Sequence, residues 1–268
     1  MNKKIITFII SISFILATLL GVVHFCSFDT KFYRLEHDKI LLYGKHVNEH
    51  IGITNEDLDE LTEFTLNYLN DKEDSLDKKL IISGVEREVF TNDEKAHMVD
   101  VKRLNINSIY IGVVSFVIFI ASILFYLLIK GDAFNLYTNY RKTLTYSLIF
   151  FGIIGFWILI DFDSFWTTFH HIFFSSNDLW LLNLRTDVLI MIVPPEFFNH
   201  LVTKIVIIFI LIIILFYFVL YSLAKRKEYK WFILYYTNLK FHRILVTLWE
   251  PVWHLIWNFI LLNQLVFP

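Results

Sequence analysis

The chain has 268 residues, of which 56% are hydrophobic and 18% aromatic, and its formal net charge is −2. Soluble domains average about 45–50% apolar residues, and here the excess is gathered into uncharged blocks of about the 20 residues that a helix needs to cross a bilayer. The blocks are 5–23, 109–129 and 205–223, with a slightly shorter one at 144–160. This pattern excludes a soluble globular domain and predicts an all-α polytopic membrane protein with four transmembrane helices.

The first block follows Lys3 and Lys4 and therefore resembles a secretory signal peptide. It is longer than the usual apolar region of about 7–15 residues, and no small-x-small cleavage site follows it. It is not a lipobox either, because His24 and Phe25 precede Cys26. We therefore interpret it as a retained anchor. Cys26 is the only cysteine, so an intrachain disulfide and a thiolate metal cluster are both excluded.

The short loops predict the orientation. Three segments are net positive: the residues before the first block, the loop 131–143 with its flanks, and the residues that follow the fourth block. All three would lie on one side, which the positive-inside rule assigns to the cytoplasm. The acidic segment 162–203 and the long segment 28–106 would then lie outside.

The chain accordingly divides into eight segments. In order, they are transmembrane helix 1 (1–27), an extracytoplasmic segment (28–106), transmembrane helix 2 (107–130), a cytoplasmic loop (131–143), transmembrane helix 3 (144–161), a second extracytoplasmic segment (162–203), transmembrane helix 4 (204–224) and a basic segment with an aromatic tail (225–268).

Local signals subdivide the first outer segment and the tail. Thr54 or Asn55 caps one predicted helix, and a second begins at Asn92 or Asp93 and merges into transmembrane helix 2. The apolar triplets 40–42 and 80–82 are too short to cross and leave open either strands or interfacial contacts. In the tail, tryptophans recur every four residues from 249 to 257. This stripe favours an interfacial helix over a fifth span.

The first candidate site lies in the helix that leads into transmembrane helix 2. Glu94, His97 and Asp100 follow i, i+3 spacing and share a helical face. A nearby carboxylate raises the pKa of an imidazole and fixes which nitrogen keeps the proton, as a general base requires. The alternative is a solvated juxtamembrane helix with an incidental histidine, and spacing alone does not decide between them.

The second candidate site is an aromatic segment from 166 to 198 that holds the adjacent pair His170 and His171. Its aromatic residues alone would be explained by an interfacial belt. Its ionisable residues, which include Asp178 and Asp187, would lie near the hydrocarbon, where such groups are often functional. Protease, esterase-elbow and phosphate-loop motifs are absent from the sequence, and we expect no metal or cofactor.

At these two motifs the sequence resembles the bacterial lipoprotein intramolecular transacylases, the Lit family. The matching residues are Phe90, Glu94, His97, Met98, Asp100, Val101, Phe169, His170, Ile172, Phe173, Phe174, Trp180, Thr186, Asp187, Leu189, Ile190, Pro194, Phe197 and Phe198. The resemblance covers roughly residues 3 to 230. It departs where the family has Asp-Pro and this chain has Asn183-Leu184, which puts any role for Asn183 in doubt, and the tail lies outside it.

The resemblance implies an enzyme of the bacterial cytoplasmic membrane that acts on diacylated lipoproteins among membrane lipid. It would move the sn-2 acyl chain of the diacylglyceryl-cysteine to that cysteine's own α-amino group, at a site on the extracytoplasmic side. His97 and His170 would be the catalytic pair, with His171 as the fallback.

The other motif residues would support that pair. Glu94 or Asp100 would orient His97, and Asp187 or Asp178 would support His170, while Trp180 and the phenylalanines would shape an acyl groove. Two other readings stay open at this point: a non-enzymatic sensor or complex subunit, and a membrane-embedded hydrolase. We expect no nucleic-acid partner, and the sequence does not indicate an oligomeric state.

Overall fold

The computed structural model describes residues 3–175 and 177–225. In chain order its elements are α1 (Lys3–Ser27), α2 (Thr30–His37), β1 (Leu41–Leu42), β2 (Lys45–His46), α3 (Val47–Ile51), α4 (Asn55–Leu69), β3 (Lys79–Ile82), β4 (Val85–Glu88), α5 (Asn92–Leu128), α6 (Ala133–Ile160), α7 (Phe162–Phe173), α8 (Val188–Ile192) and α9 (Pro195–Lys225). The predicted interfacial or fifth helix lies outside the described residues.

Four of these helices, α1, α5, α6 and α9, are long and apolar enough to cross a membrane. They form a bundle in which α1 packs against the other three. The Phe14 ring on α1 stacks on Phe216 of α9 at 4.0 Å between centroids and also contacts Phe119 of α5. The fully buried Tyr140 on α6 donates a hydrogen bond to the Ile213 carbonyl of α9 at 2.7 Å. The four predicted membrane helices are thus confirmed.

The membrane helices are longer than the uncharged blocks that revealed them. We interpreted 131–143 as a loop, whereas α6 already begins at Ala133, after the N-cap Asp132. The reason is that counting uncharged residues ends at the first charge, while a helix continues through polar turns outside the hydrocarbon. In the same way, α9 begins at Pro195, a residue suited to the first helical position.

The long helix α5 joins the first motif to the membrane without a break. Thr91 caps it: its hydroxyl accepts from the Glu94 N–H, and the Glu94 carboxylate accepts from the Thr91 N–H. This capping box satisfies two N–H groups that a helix start otherwise leaves unpaired. The start predicted at Asn92 or Asp93, and the merging of that helix with transmembrane helix 2, are both confirmed.

Residues 28–91 form a small cap at the end of the bundle where α1 finishes and α5 begins; we call this the capped end. The predicted N-cap of α4 is confirmed at Thr54, which forms a capping box with Asp57. The predicted all-α class is wrong in one respect, because β1 pairs with β2 and β3 with β4 as two antiparallel hairpins. Both turns have two residues with positive φ, Tyr43-Gly44 and Ser83-Gly84, which is the backbone of a type I′ turn.

Buried and partly buried polar contacts connect the cap to α9 and to the residues just before it. Glu36 on α2 accepts hydrogen bonds from Lys39 at 2.9 Å and from His200 Nδ1 at 2.5 Å. Next to it, the buried His37 donates from Nε2 to the carbonyl of Ile192, at 2.9 Å. Lys204 completes the set with a 2.8 Å ion pair to Asp29. The capped end is therefore fastened to the bundle by α2 as well as by the chain itself.

Candidate functional site

The structure brings the two histidine motifs together at the capped end. His97 lies in the second turn of α5 and His170 in the last turn of α7. Their ring centroids are 6.2 Å apart with the planes inclined by 30°. Each side chain is only 6% exposed. One small functional group could therefore contact both rings, although 73 positions separate them in the sequence.

The backbone of α7 fixes the tautomer of His170. Its Nδ1 lies 2.8 Å from the carbonyl oxygen of Trp166, one helical turn earlier. A carbonyl oxygen can only accept, so Nδ1 carries the hydrogen. In the neutral ring, Nε2 is then the atom with the free lone pair. Burial lowers the pKa of His170, the Trp166 carbonyl opposes that effect, and the neighbouring His171 adds to it.

Aromatic rings enclose the histidine pair. Trp180 stacks on the His170 ring at 4.8 Å and 28°, and the Trp166 ring meets it edge-on at 4.6 Å. Phe174 lies against His97 at 5.1 Å. Trp166 in turn stacks on Phe198 of α9 at 4.3 Å. These contacts give the site apolar walls, where little water competes with hydrogen bonds to a reacting group.

The environment of His97 changes its acidity in the direction opposite to the one expected from the sequence. The ring lies three turns before the apolar part of α5, yet it is buried, and its Nδ1 finds no hydrogen-bond partner among the described residues. Burial and, to a smaller extent, the charge of His170 lower the pKa of His97 to about 4, because the opposing effect of Asp100 is weaker than these two. Asp100 does raise the pKa of the imidazole, as expected of a nearby carboxylate, but desolvation of the buried ring outweighs it.

We expect His97 to titrate near pH 4 rather than near its ordinary pKa of 6.5. Between pH 4 and pH 6.5 the unfolded chain would then bind a proton at this histidine that the folded chain does not bind. The free energy of unfolding should therefore be unaffected by this group above about pH 6.5 and should decrease as the pH falls toward 4. The titration can be followed in NMR spectra of histidine-labelled protein in micelles. The His97 resonance is the one that disappears in a His97→Gln variant. A midpoint near 6.5 would contradict the burial argument.

We predicted that Glu94 or Asp100 would orient His97, but the carboxylate of Glu94 forms its hydrogen bonds elsewhere. Its carboxylate is fully buried and accepts from two backbone N–H groups, Thr91 at the start of α5 and Leu189 in α8, each at 2.6 Å. Burial raises the pKa of Glu94 while both N–H groups lower it, with a further raising effect from Asp187. The residue therefore fastens the helix that carries His97 to the segment after the second motif.

The other predicted supporting residues have different partners from those expected. Asp100 accepts from the Asn177 side chain at 3.0 Å and so joins α5 to the second motif. Asp187 accepts from the Asn183 N–H and the Thr186 hydroxyl, and Asp178 is exposed. His171 is also exposed and meets the edge of Trp180 at 5.2 Å. Of the predicted polar residues, only His97 and His170 face each other.

Sequence reasoning missed the backbone groups of the site. The carbonyl of Trp166 and the N–H of Leu189 have no signal in residue type, since every residue except proline carries both groups. The i, i+4 spacing of Trp166 and His170 would have allowed the first to be anticipated. Within 3–175 and 177–225, no group of three or more histidine, cysteine or acidic side chains is arranged to hold a metal ion.

Fold and site together define a multi-pass membrane protein in which aromatic rings surround two buried histidines. A family model described as "Lipoprotein intramolecular transacylase Lit" matches residues 8–198, well over half of the chain and both motifs. The chain therefore belongs to the Lit family, and it is an acyltransferase that acts on lipoproteins. No curated protein matches the sequence.

Solved structures share the fold. The in meso structure of the membrane integral lipoprotein intramolecular transacylase Lit from Bacillus cereus is 21% identical and has a TM-score of 0.69, covering 84% of this chain and 97% of that one. Two histidine variants of the same protein also match. The arginine variant is 20% identical with a TM-score of 0.65, covering 84% and 93%, and the alanine variant is 19% identical with a TM-score of 0.64, covering 84% and 95%.

Proposed function

We propose that this enzyme moves the sn-2 acyl chain of a lipoprotein's diacylglyceryl-cysteine to the α-amino group of the same cysteine. The product would be an N-acyl lipoprotein with a lyso-glyceryl group. The observation that carries the proposal is the facing pair of buried histidines, 6.2 Å apart, inside aromatic walls at the capped end of the bundle.

The reaction is the aminolysis of an ester. The amine nitrogen attacks the ester carbonyl, an oxyanion forms, the amine loses a proton, and the glyceryl oxygen leaves with a proton. Such a step needs a base, an acid and donors for the oxyanion. The nucleophile and the ester belong to one substrate molecule, so holding them together supplies a large effective concentration. The reaction therefore needs no serine or cysteine nucleophile from the enzyme.

His170 suits the proton transfer. The Trp166 carbonyl holds its Nδ1–H, and this leaves the Nε2 lone pair to take the amine proton. A neutral imidazole can accept the amine proton once the nitrogen has bonded to the ester carbon, because that nitrogen is then far more acidic than a free α-ammonium group, whose pKa is about 7.7–8.0. The resulting imidazolium then returns that proton to the leaving glyceryl oxygen, as the histidine of a serine-protease triad does for its leaving amine.

His97 suits the second task, hydrogen bonding to the ester oxygen. With a pKa lowered to about 4, its ring is neutral at pH 7 and keeps one N–H. A neutral imidazole can polarise a carbonyl through that N–H. Because Nδ1 of His97 has no hydrogen-bond partner among residues 3–175 and 177–225, no described group competes there with the substrate. Under this assignment His170 transfers the amine proton and His97 stabilises the negative charge on the ester oxygen.

Charge favours an extracytoplasmic site. Lys3 donates to the Lys130 carbonyl at the end of the bundle opposite the cap, so two of the basic segments meet there. The positive-inside rule would place that end in the cytoplasm and the capped end outside. The acyl chains of a lipoprotein in the outer leaflet would then reach the site from the membrane.

The test uses the purified protein in vesicles with a synthetic diacylated lipopeptide. Substrate and product have the same mass, because the acyl group stays in the molecule, so the assay must follow chemistry instead. The α-amine should become unreactive toward an amine-specific label, and tandem mass spectrometry should show one acyl chain as a base-stable amide. A mixture of light and isotope-labelled lipopeptides should give no mixed product.

The same assay separates the alternatives. A membrane-embedded hydrolase would release free fatty acid and leave the amine reactive. A sensor or complex subunit would leave the lipopeptide unchanged. Either outcome would refute the proposed reaction.

A further inference from the structure

The indole nitrogen of Trp180 is a buried donor without a partner. Among the buried side-chain nitrogen and oxygen atoms of the described residues, only three have no hydrogen-bond partner: Nε1 of Trp180, Nδ1 of His24 and Nδ1 of His97. An indole N–H can donate but cannot accept. Leaving such a group buried and unpaired is unfavourable, because it has lost its hydrogen bonds to water without gaining others. A site that binds an acceptor would recover that free energy.

Trp180 also lies where an acceptor is needed. Its ring stacks on His170 at 4.8 Å, and His170 in turn lies 6.2 Å from His97. Two of the three unpartnered buried nitrogens thus belong to one cluster of rings, which is also the proposed reaction site. Trp166, the other tryptophan against His170, is not among the residues with an unpartnered buried nitrogen.

We propose that the Trp180 Nε1–H is a hydrogen-bond donor to the oxyanion of the tetrahedral intermediate, acting beside His97. The inference rests on the proposed acyl transfer. When the amine nitrogen bonds to the ester carbon, the C=O π pair moves onto oxygen, and the indole N–H donates to it. When the intermediate collapses, the pair re-forms C=O, the bond to the glyceryl oxygen breaks, and His170 protonates that oxygen. Trp180 gives up no proton at any stage.

Access to the N–H depends on the segment that carries it. The described residues of 174–187 form neither helix nor strand, and the Trp180 ring is only partly buried although its nitrogen is enclosed. An ester entering against His170 would displace this irregular segment rather than a helix. The indole N–H would then become available only when the ester binds, and it would stay shielded from water before that.

A wall residue and a donor differ in kinetics. A residue that only lines the acyl groove binds substrate and transition state alike, so its loss raises KM. A donor that acts on the developing charge lowers kcat, and removal of one oxyanion donor typically costs about 10²–10³-fold in kcat. The N–H must therefore be removed while the shape of the ring is kept.

The experiment compares the wild type with Trp180→Phe and with a protein that carries 3-benzothienyl-alanine at position 180. The analogue keeps the bicyclic ring and replaces N–H by sulfur. We expect both to lose about 10²-fold in kcat with KM changed by less than about 3-fold. Trp157→Phe is the matched control, since Trp157 packs on Phe165 outside the cluster, and its kcat should stay within about 2-fold of wild type.

The outcomes are separable. If the analogue keeps wild-type kcat, or changes KM alone, while His97→Ala and His170→Ala are inactive, Trp180 is not an oxyanion donor and the proposed function stands. If the histidine variants are also fully active, the proposed site fails and the inference falls with it. Should Trp180→Phe unfold, the analogue decides the question, because its ring fills the same space.

Discussion

Replacing His97 or His170 by alanine should lower the rate of acyl transfer by about 10²–10⁴-fold, the range expected when a general acid–base or its partner is removed. Both rings are buried and face each other, so no exposed residue can readily substitute for either. The amine-labelling assay measures the rate directly. Thermal unfolding of each variant in detergent would check that the cap is still folded.

The two replacements should not add. When two residues stabilise the same intermediate, replacing either one removes most of the rate enhancement that they provide together. The double variant should therefore be about as slow as the slower single variant. His46→Ala is a suitable control, because His46 is exposed on β2, away from the site. If the rate losses of the two single variants multiplied in the double variant, or if one single variant had wild-type activity, a shared intermediate would be ruled out.

The second large effect should come from Glu94. Alanine at this position leaves the N–H groups of Thr91 and Leu189 without their 2.6 Å acceptors, the first at a partly buried position and the second at a buried one. We expect the free energy of unfolding to fall by about 2–4 kcal/mol, the scale of two lost hydrogen bonds to a carboxylate. Activity should fall as well, because α8 and the helix that carries His97 lose their link.

Glu94→Gln refines this test. An amide offers one oxygen where the carboxylate offered two, so one N–H would face the amide NH₂ instead of an acceptor. The glutamine variant should therefore be destabilised too, with its KM and kcat both affected. Glu63→Ala on the exposed face of α4 should change stability by less than about 0.5 kcal/mol. If Glu94→Ala melted like Glu63→Ala, the link would be unimportant.

Much of the architecture could be predicted because bilayer thickness sets the length of a membrane-spanning apolar block, and such a block is easily recognised in a sequence. The four membrane helices, the Thr54 cap and the start of α5 follow from charge, periodicity and capping residues, all of which are local. The loop assigned to 131–143 failed because polarity does not end a helix. The two hairpins were left undecided because triplets such as 80–82 carry no period.

The candidate site was predictable in its histidines but not in its connections. Spacing on α5 places Glu94, His97 and Asp100 on one face, yet the partner of Asp100 lies 77 residues away and the buried partner of Glu94 lies 95 residues away. Glu94 bonds to Leu189 and Asp100 to Asn177, contacts that depend on how α7 and α8 fold over the bundle. Whether a carboxylate raises a histidine pKa or burial lowers it likewise depends on tertiary packing.

Because α5 is continuous, it fixes the distance between the bilayer and the reacting bond. His97 precedes Ile109, the first residue of the uncharged block, by 12 positions on the same helix, which corresponds to about 18 Å at 1.5 Å per residue. The helix thus sets both the height and the facing of the imidazole. One residue inserted between them would turn the ring by about 100° and lift it by 1.5 Å. The number of residues in this stretch is therefore constrained independently of the contacts that its side chains make, such as that of Asp100 with Asn177.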